Sequence, residues 1–364
     1  MNQDFHYEGT YSAAKDAGFS PSDASVIAHA AQMVDDCSIH YLKSIHKMTP
    51  DSVITAEWGW DNVEDFFTNF ADPTDFWNHS NPDLNQIRRI WMPFHFLPGN
   101  LELTCSYQGP EKLGENKFSM PRDEFDMKTM CLPCSELVQL MIEHTRETYQ
   151  ELSASPDSPI RANVLALIGI RMHVLADTWA HSYFAGTPSK WVNNATDFSK
   201  ITGTPDGLKE TGTPDTSNVY SVYFLGHARA GHYPDYGSLI YQYHPQWMRE
   251  NSMIIKCGPD DFMCAYTQMV QAMTYIRDSA AGSFSPGSAQ ELLTAFNRLP
   301  DAPEVEAVIK TKEANQANAW REELVSELTA YDKSDVDMDA FQAAARIHLY
   351  LVKNYLEQND ICYL

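Results

Sequence analysis

Hydrophobic positions recur at helical spacing along most of the chain. From Ala24 to Val34 the apolar residues follow one helical face, and Ser20-Pro21-Ser22-Asp23 supplies a capping serine, a first-turn proline and an early acid. The same spacing predicts further helices over residues 135–152, 161–184, 264–281 and 289–297. Two long amphipathic helices, at 303–331 and 338–357, are predicted to form a C-terminal pair over about 303–357.

Alternation typical of β-strands is scarce. Arg89 to Phe96 and Val219 to Leu225 are the two short strand candidates, and aromatic-rich loops explain both equally well. Gly, Pro and polar residues predict long loops at about 100–122 and 186–218. No linker or repeat interrupts the chain, so we expect an all-α fold: a single multi-helix, bundle-like domain over residues 1–364.

One predicted helix carries ligand-type residues in an apolar stripe. His173, Asp177 and His181 are four residues apart and therefore follow one another along one helical face. The two histidines are separated by about 12 Å along the helix, at a rise of about 1.5 Å per residue. One ion cannot easily bind both, because metal–ligand bonds are only about 2.0–2.2 Å long. A central Asp177 that bridges two ions, with a histidine on each side, fits this spacing.

The alternative for this stripe is a hydrogen-bonded His-Asp pair in the core with an unrelated histidine at the helix end. We favour metal binding, because burying three such groups together is costly unless they are paired or bound to a metal.

A second group lies in the segment from Gly226 to Asp235. His227 and His232 each follow a glycine, which suits a tight turn that directs imidazoles inward, and Asp235 ends the segment. An exposed polar loop is the alternative. Arg229 could bind a phosphate or carboxylate, or simply pair with Asp235.

Three further places carry similar residues. At the N-terminal end, Asp4-Phe5-His6-Tyr7 is bulky for a terminus and is predicted to dock in the core, either by packing or by ligation. Asp35 and Asp36 end a helix whose dipole disfavours acids there, which suggests a nearby cation, although solvated acids are also common. His95, between aromatic and proline residues, is either a ligand or a buried histidine bonded to backbone.

Composition restricts the partners. The 364 residues include 26 basic and 49 acidic side chains, a net charge of −23, which opposes binding to duplex nucleic acid or anionic membranes. A small anionic substrate remains compatible if a bound cation reverses the local field. No apolar run is long enough to cross a membrane, and the first residues lack signal-peptide features, so we expect a cytoplasmic protein. Seven scattered cysteines indicate spare thiols or one local disulfide, with Cys131 and Cys134 the closest pair.

Four motifs together resemble one uncharacterised bacterial protein family. They are DFHYxGTY from Asp4, AQxVDD from Ala31, HVLADTWAH from His173 and GHxxxGHxPD from Gly226. The resemblance covers most of the chain and implies no established activity.

A more distant resemblance is to the superfamily of zinc-dependent phospholipase C and single-strand nucleases. These all-α enzymes take their ligands in an order that would be matched here by His6, Asp35 or Asp36, His95, His173, Asp177, His181, then His227 or His232 with Asp235. That superfamily also uses the amino end of a processed, secreted chain, whereas this chain begins with Met1 and shows no signal peptide. The last pair, His232 and Asp235, is three residues apart where the superfamily has four.

Together these patterns predict a metal-dependent hydrolase of small-molecule or lipid phosphoesters with two or three zinc ions. Asp177 is expected to bridge ions, and Asp35 or Asp36 to act as a general base. Tyr7, Trp179 and Arg229 are expected to bind substrate, with Tyr183 beside them. Two alternatives stay open: an interaction protein with a structural metal, and a metal-free His-Asp core with an aromatic lipid or peptide groove.

Overall fold

The computed structural model describes most of the chain. The described residues are 1–38, 41, 68–69, 84–103, 125–153, 160–202, 224–249, 252–278, 280, 282, 284–285, 287 and 328–361. A π-helix spans Asp4–Gly9, and the helices that follow are α1 Thr10–Asp16, α2 Pro21–Asp36, α3 Leu84–Phe94, α4 Glu136–Ser153, α5 Arg161–Ala180, α6 Lys190–Asn193, α7 Gly258–Arg277 and α8 Met338–Gln358. Short 3-10 turns lie at Ala228–Ala230, Tyr233–Asp235 and Lys333–Asp335.

The predicted helices largely appear where the apolar spacing placed them. Helix α2 begins as its capping sequence predicts: the Ser20 hydroxyl accepts a hydrogen bond from the Asp23 amide, and Pro21 occupies the first turn. Helix α8 confirms the second member of the C-terminal pair. The predicted helix at 289–297 and nearly all of that at 303–331 lie outside the described residues. The single-domain arrangement remains a prediction.

Helix α5 is the centre of the bundle. Residues 164–180 are all buried, so this helix is covered on every side, as expected for a helix without a polar face. Helices α2, α4, α7 and α8 all pack against it. Within the described ranges, no helix is long and apolar enough to cross a membrane.

A small sheet corrects the all-α expectation. Strands β1 Ala195–Thr202, β2 Ile240–Pro245 and β3 Ile254–Cys257 form an antiparallel sheet in the order β1-β2-β3, so the fold is mostly helical but not purely so. Its signal in the sequence is brief, since only β2 alternates clearly and buries Tyr241 and Tyr243 on one face.

The strand and loop predictions need matching corrections. Of the two strand candidates, the first falls mainly in α3, and residues 219–223 of the second lie outside the described part. Part of the predicted loop at 186–218 is ordered as α6 and β1, whereas residues 104–122 and 203–218 are not described. Cys131 and Cys134 are not joined by a disulfide.

A buried lysine joins the sheet to the end of α5. The Lys256 ammonium on β3 donates to the Trp179 carbonyl at 2.8 Å and the Ser182 hydroxyl at 2.5 Å, and it pairs with an Asp261 carboxylate oxygen at 2.7 Å. It thereby satisfies a carbonyl that the helix end leaves without an intrahelical partner. His181 lies between the two residues that it contacts, so this lysine also fixes the helix end that carries His181.

We expect Lys256→Met to lower the free energy of unfolding by about 2–3 kcal/mol, because it leaves Asp261 and two buried acceptors without their cation. Chemical denaturation measures the loss. Lys353→Met is the matched control, since Lys353 pairs with Glu357 at the surface at 3.9 Å and its loss should cost less than about 0.5 kcal/mol. Equal losses in the two variants would contradict the anchoring role.

Helices α2 and α5 touch through their backbones at Gly169. A Cβ atom at this glycine would lie 2.2 Å from the Ile27 carbonyl oxygen and 2.8 Å from the Ala30 Cβ. Only glycine therefore allows this approach, which brings the end of α2 to the middle of α5.

Gly169→Ala should destabilise the protein by about 1–3 kcal/mol, since the helices must separate and this outweighs the better helix propensity of alanine. Thermal and denaturant unfolding test this. Gly282→Ala is the control, because a Cβ there meets no atom within 4 Å. A neutral or stabilising Gly169→Ala would show that the contact yields easily.

Candidate metal centre

Histidine and aspartate side chains from distant segments converge on α5. Three groups place their ligand atoms within 4.8 Å of one another: His6, Asp35 and His173; His95, His173 and Asp177; and His181, His227 and Asp235. They come from the N-terminal π-helix, the end of α2, the end of α3, α5 and the turn after residue 226. His173 and His181 of the α5 stripe fall into different groups.

The Asp177 carboxylate divides the inner groups. Its Oδ2 lies 3.2 Å from His173 Nε2 and 3.5 Å from His95 Nδ1, whereas its Oδ1 lies 3.2 Å from His6 Nε2. The His6 and His173 rings stack with centroids 3.7 Å apart. Asp177 is fully buried, so one carboxylate presents each of its oxygens to a different set of nitrogens.

Asp35 and the α-amino group complete this inner region. Asp35 lies 3.7 Å from His95 Nδ1, 3.9 Å from His173 Nε2 and 4.0 Å from His6 Nε2. The buried nitrogen of Met1 lies 2.6 Å from Asp177 Oδ1 and 3.5 Å from Asp235 Oδ1. Ligands that share an ion at about 2.0–2.2 Å lie about 3–4 Å from one another, which is the range of the nitrogen–carboxylate distances in the cluster.

Three of the histidines are oriented by backbone carbonyls. His95 Nε2 donates to the Thr68 carbonyl at 2.9 Å, His181 Nδ1 to the His95 carbonyl at 2.8 Å, and His227 Nδ1 to the Gly231 carbonyl at 2.7 Å. A carbonyl oxygen only accepts, so the proton of each neutral ring lies on that nitrogen. The other nitrogen then points its lone pair into the cluster, as metal-binding histidines do.

These lone pairs face carboxylate oxygens. His181 Nε2 lies 3.2 Å and His227 Nε2 lies 3.7 Å from Asp235 Oδ1. Two acceptors at such distances repel unless a second proton or a cation lies between them. Burial lowers the pKa of His227 to about 4 despite the opposing effect of Asp235, so its ring is neutral at pH 7 and a cation is the better explanation.

Electrostatics keeps the central groups in their ligand forms. Burial would raise the pKa of Asp177, but His181, the α-amino group, His173 and His6 outweigh it and hold the pKa well below its ordinary value. Burial, with the charges of His173 and the amino group, lowers the pKa of His6 well below its usual value. Ionised carboxylates and neutral imidazoles are the forms that bind metals.

Several buried polar atoms of the cluster make no hydrogen bond. They are both nitrogens of His6, Nδ1 of His173 and Oδ2 of Asp177. Buried polar atoms almost always have partners, and leaving one unmade costs about 1–3 kcal/mol. The donor set therefore fits a divalent cation of the zinc type, which takes imidazole nitrogens and carboxylate oxygens.

Some predicted site residues lie elsewhere. Asp36 belongs to none of the three groups, and its Oδ2 is 3.4 Å from the Gln32 amide nitrogen on α2. His232 is 71% exposed and contacts only the outer oxygen of Asp235, at 3.2 Å. The Trp179 indole donates to Gln268, and the Tyr7 hydroxyl donates to the Thr329 carbonyl, so both polar atoms are engaged outside the groups. Arg229 lies in the 3-10 turn directly after His227.

Comparison with known proteins gives one relationship. A family model described as a family of unknown function matches residues 1–359. The chain belongs to this family, DUF6765. No curated protein and no solved structure matches this DUF6765 chain. The resemblance to an uncharacterised family is thereby confirmed, and any activity has to be argued from the site.

The structure separates the neighbours Asp35 and Asp36, which the sequence did not. Asp35→Asn should weaken zinc binding about tenfold or more, because it removes a carboxylate within 4.0 Å of three histidines. Asp36→Asn, one residue away, should leave it unchanged. Zinc titration in competition with a chromophoric chelator measures both. A larger effect in Asp36→Asn would overturn the assignment.

Proposed function

We propose that this protein is a metal-dependent hydrolase acting on phosphoesters, with two or three zinc-type ions held by the His-Asp cluster. The observation that carries the proposal is the set of imidazole lone pairs that converge on carboxylates with no donor between them. The distant likeness to zinc-dependent phospholipase C and single-strand nucleases points the same way and belongs to the proposal.

The ligand atoms suggest how ions would be shared. One position would be held by Asp35, His95, His173 and Oδ2 of Asp177, and a second by His181, His227 and Asp235. A third would lie between His6 and Oδ1 of Asp177. Because an imidazole nitrogen has one lone pair, His173 Nε2 serves only one of the two inner groups, and Asp177 is the residue suited to bridging.

Access distinguishes the two ends of the cluster. His173 and Asp177 are at most 1% exposed, whereas Asp35 is 28%, Asp235 17% and His227 16% exposed. Substrate would therefore approach the side formed by these three residues. Asp35 would also be a proton acceptor there, since burial raises its pKa toward the working range of a general base.

A phosphoester fits both the charge and the ligands. Ions of this kind lower the pKa of a bound water toward neutrality and neutralise charge on a phosphoryl group. A chain of net charge −23 repels anions, so an anionic substrate would bind where cations reverse the local field. Arg229, next to His227, would contact a phosphate oxygen, and a small molecule or a lipid headgroup would supply it.

The second candidate function is an interaction protein with a structural metal. The closed inner position favours it, because structural sites are enclosed by four protein ligands and leave no open coordination position. The partly exposed Asp235 and His227 are the observation against it.

Metal content is the first test. Protein purified without added metal should contain at least about one equivalent of a transition metal, and His173→Ala should lose most of it. His244→Ala is the matched control, because His244 on β2 donates to the Ser252 carbonyl and lies outside the three groups. Less than about half an equivalent, unchanged in His173→Ala, would refute the metal proposal.

Hydrolysis of chromogenic phosphomonoesters and phosphodiesters is the second test. We expect turnover that falls about 100-fold or more in Asp235→Asn and hardly changes in His244→Ala, since losing a ligand costs at least as much as losing its hydrogen-bonded support. Metal-loaded protein that turns over neither class would favour the structural alternative.

A further inference from the structure

Helix α5 also carries a fully buried arginine outside the cluster. Arg171 is 0% exposed and faces α4. Its Nη1 donates to the Met141 carbonyl at 3.0 Å and the Thr145 hydroxyl at 2.8 Å, and it lies 3.0 Å from His144 Nδ1. All three contacts involve one of its three nitrogens.

The opposite edge of the guanidinium is unused. Nε and Nη2 of Arg171 are buried and have no hydrogen-bond partner. These two nitrogens present parallel N–H groups along one side of the planar group, and this is the edge that binds carboxylates and oxyanions in bidentate fashion. The unpartnered atoms are thus the anion-binding edge of the side chain.

No carboxylate balances this charge in the described part of the chain. The ionisable neighbours of Arg171 are histidines: burial and the guanidinium charge lower the pKa of His144, and they lower that of His348 to about 3. His348 donates through Nε2 to the Pro93 carbonyl, so it brings no negative charge. Burial lowers the pKa of Arg171 itself only to about 9, which leaves it charged at pH 7.

A buried charge without a counter-charge costs several kcal/mol, and removal from water is compensated only by close pairing. The surroundings offer dipoles from one side and imidazoles from the other. A small anion would supply the missing charge and accept both N–H groups.

We propose that Arg171 Nε and Nη2 bind a small inorganic anion of about the size of chloride, within the core where α4, α5 and α8 meet. Full burial of the side chain restricts the occupant to this size class. The site is separate from the His-Asp cluster and does not depend on the proposed hydrolase activity. Its role would be to stabilise the packing of the central helix on α4.

Anion-dependent stability of the full chain tests the proposal. At constant ionic strength, replacing gluconate with chloride or bromide should raise Tm saturably, by about 2 °C at a concentration ten times the Kd. Bulky gluconate does not fit the site and serves as the reference anion. Chloride NMR line broadening in the presence of the protein gives a second readout that does not depend on unfolding.

Arg171→Met removes the anion-binding edge and should abolish both the Tm rise and the line broadening. Arg346→Met, an exposed position on α8, should keep both. Identical Tm values in chloride and gluconate for the wild type would overturn the proposal. A rise of equal size in Arg171→Met would overturn it as well, and if that variant does not fold, Arg171→Lys and the wild-type NMR titration decide.

Discussion

The buried Asp177 carboxylate is the constraint on which the rest of the centre depends. An ionised carboxylate within a helix covered on all sides is stable only if positive or hydrogen-donating groups surround it. The N-terminal π-helix, the ends of α2 and α3 and the turn after residue 226 each bring a residue to this position. The bundle is thus organised around a polar centre as well as an apolar core.

Two contacts make this arrangement rigid. The glycine approach at Gly169 brings α2 close enough for Asp35 to reach histidines on two other elements. At the other end, Lys256 ties the sheet to the last turn of α5, beside His181. Precise placement of ligand atoms requires such support, because errors of about 0.5 Å degrade a metal or catalytic site.

Helix α5 therefore carries opposite charges on different faces. Asp177 faces the His-Asp cluster, and Arg171 faces α4 with an open hydrogen-bonding edge. In both places the protein leaves strong polar atoms without protein partners inside a dense core. Ions are the simplest partners for such atoms, a cation at the first place and an anion at the second.

Much of the helical fold could be read from local spacing. Helix α2 with its Ser20 cap, the apolar α5 and the final helix α8 all follow from periodicity and end signals, which act over a few residues. The sheet could not be read in this way, because its strands are short and are stabilised by pairing between segments about 40 residues apart or more for β1 and β2. Most of the ligand-type residues were also recognisable, since histidines and acids in apolar surroundings stand out by chemical type.

The sequence by itself determined which kinds of side chain the centre contains and that His173, Asp177 and His181 share one face of a helix. Only the tertiary structure decided that Asp35 reaches the histidines while its neighbour Asp36 does not, and that His227 lies inside while His232 lies at the surface. Successive residues at a helix end or in a turn point in different directions, and which direction is inward depends on the packing of the other elements. The unpaired edge of Arg171 was hidden for the same reason, because a residue's lack of a partner is a property of the assembled core.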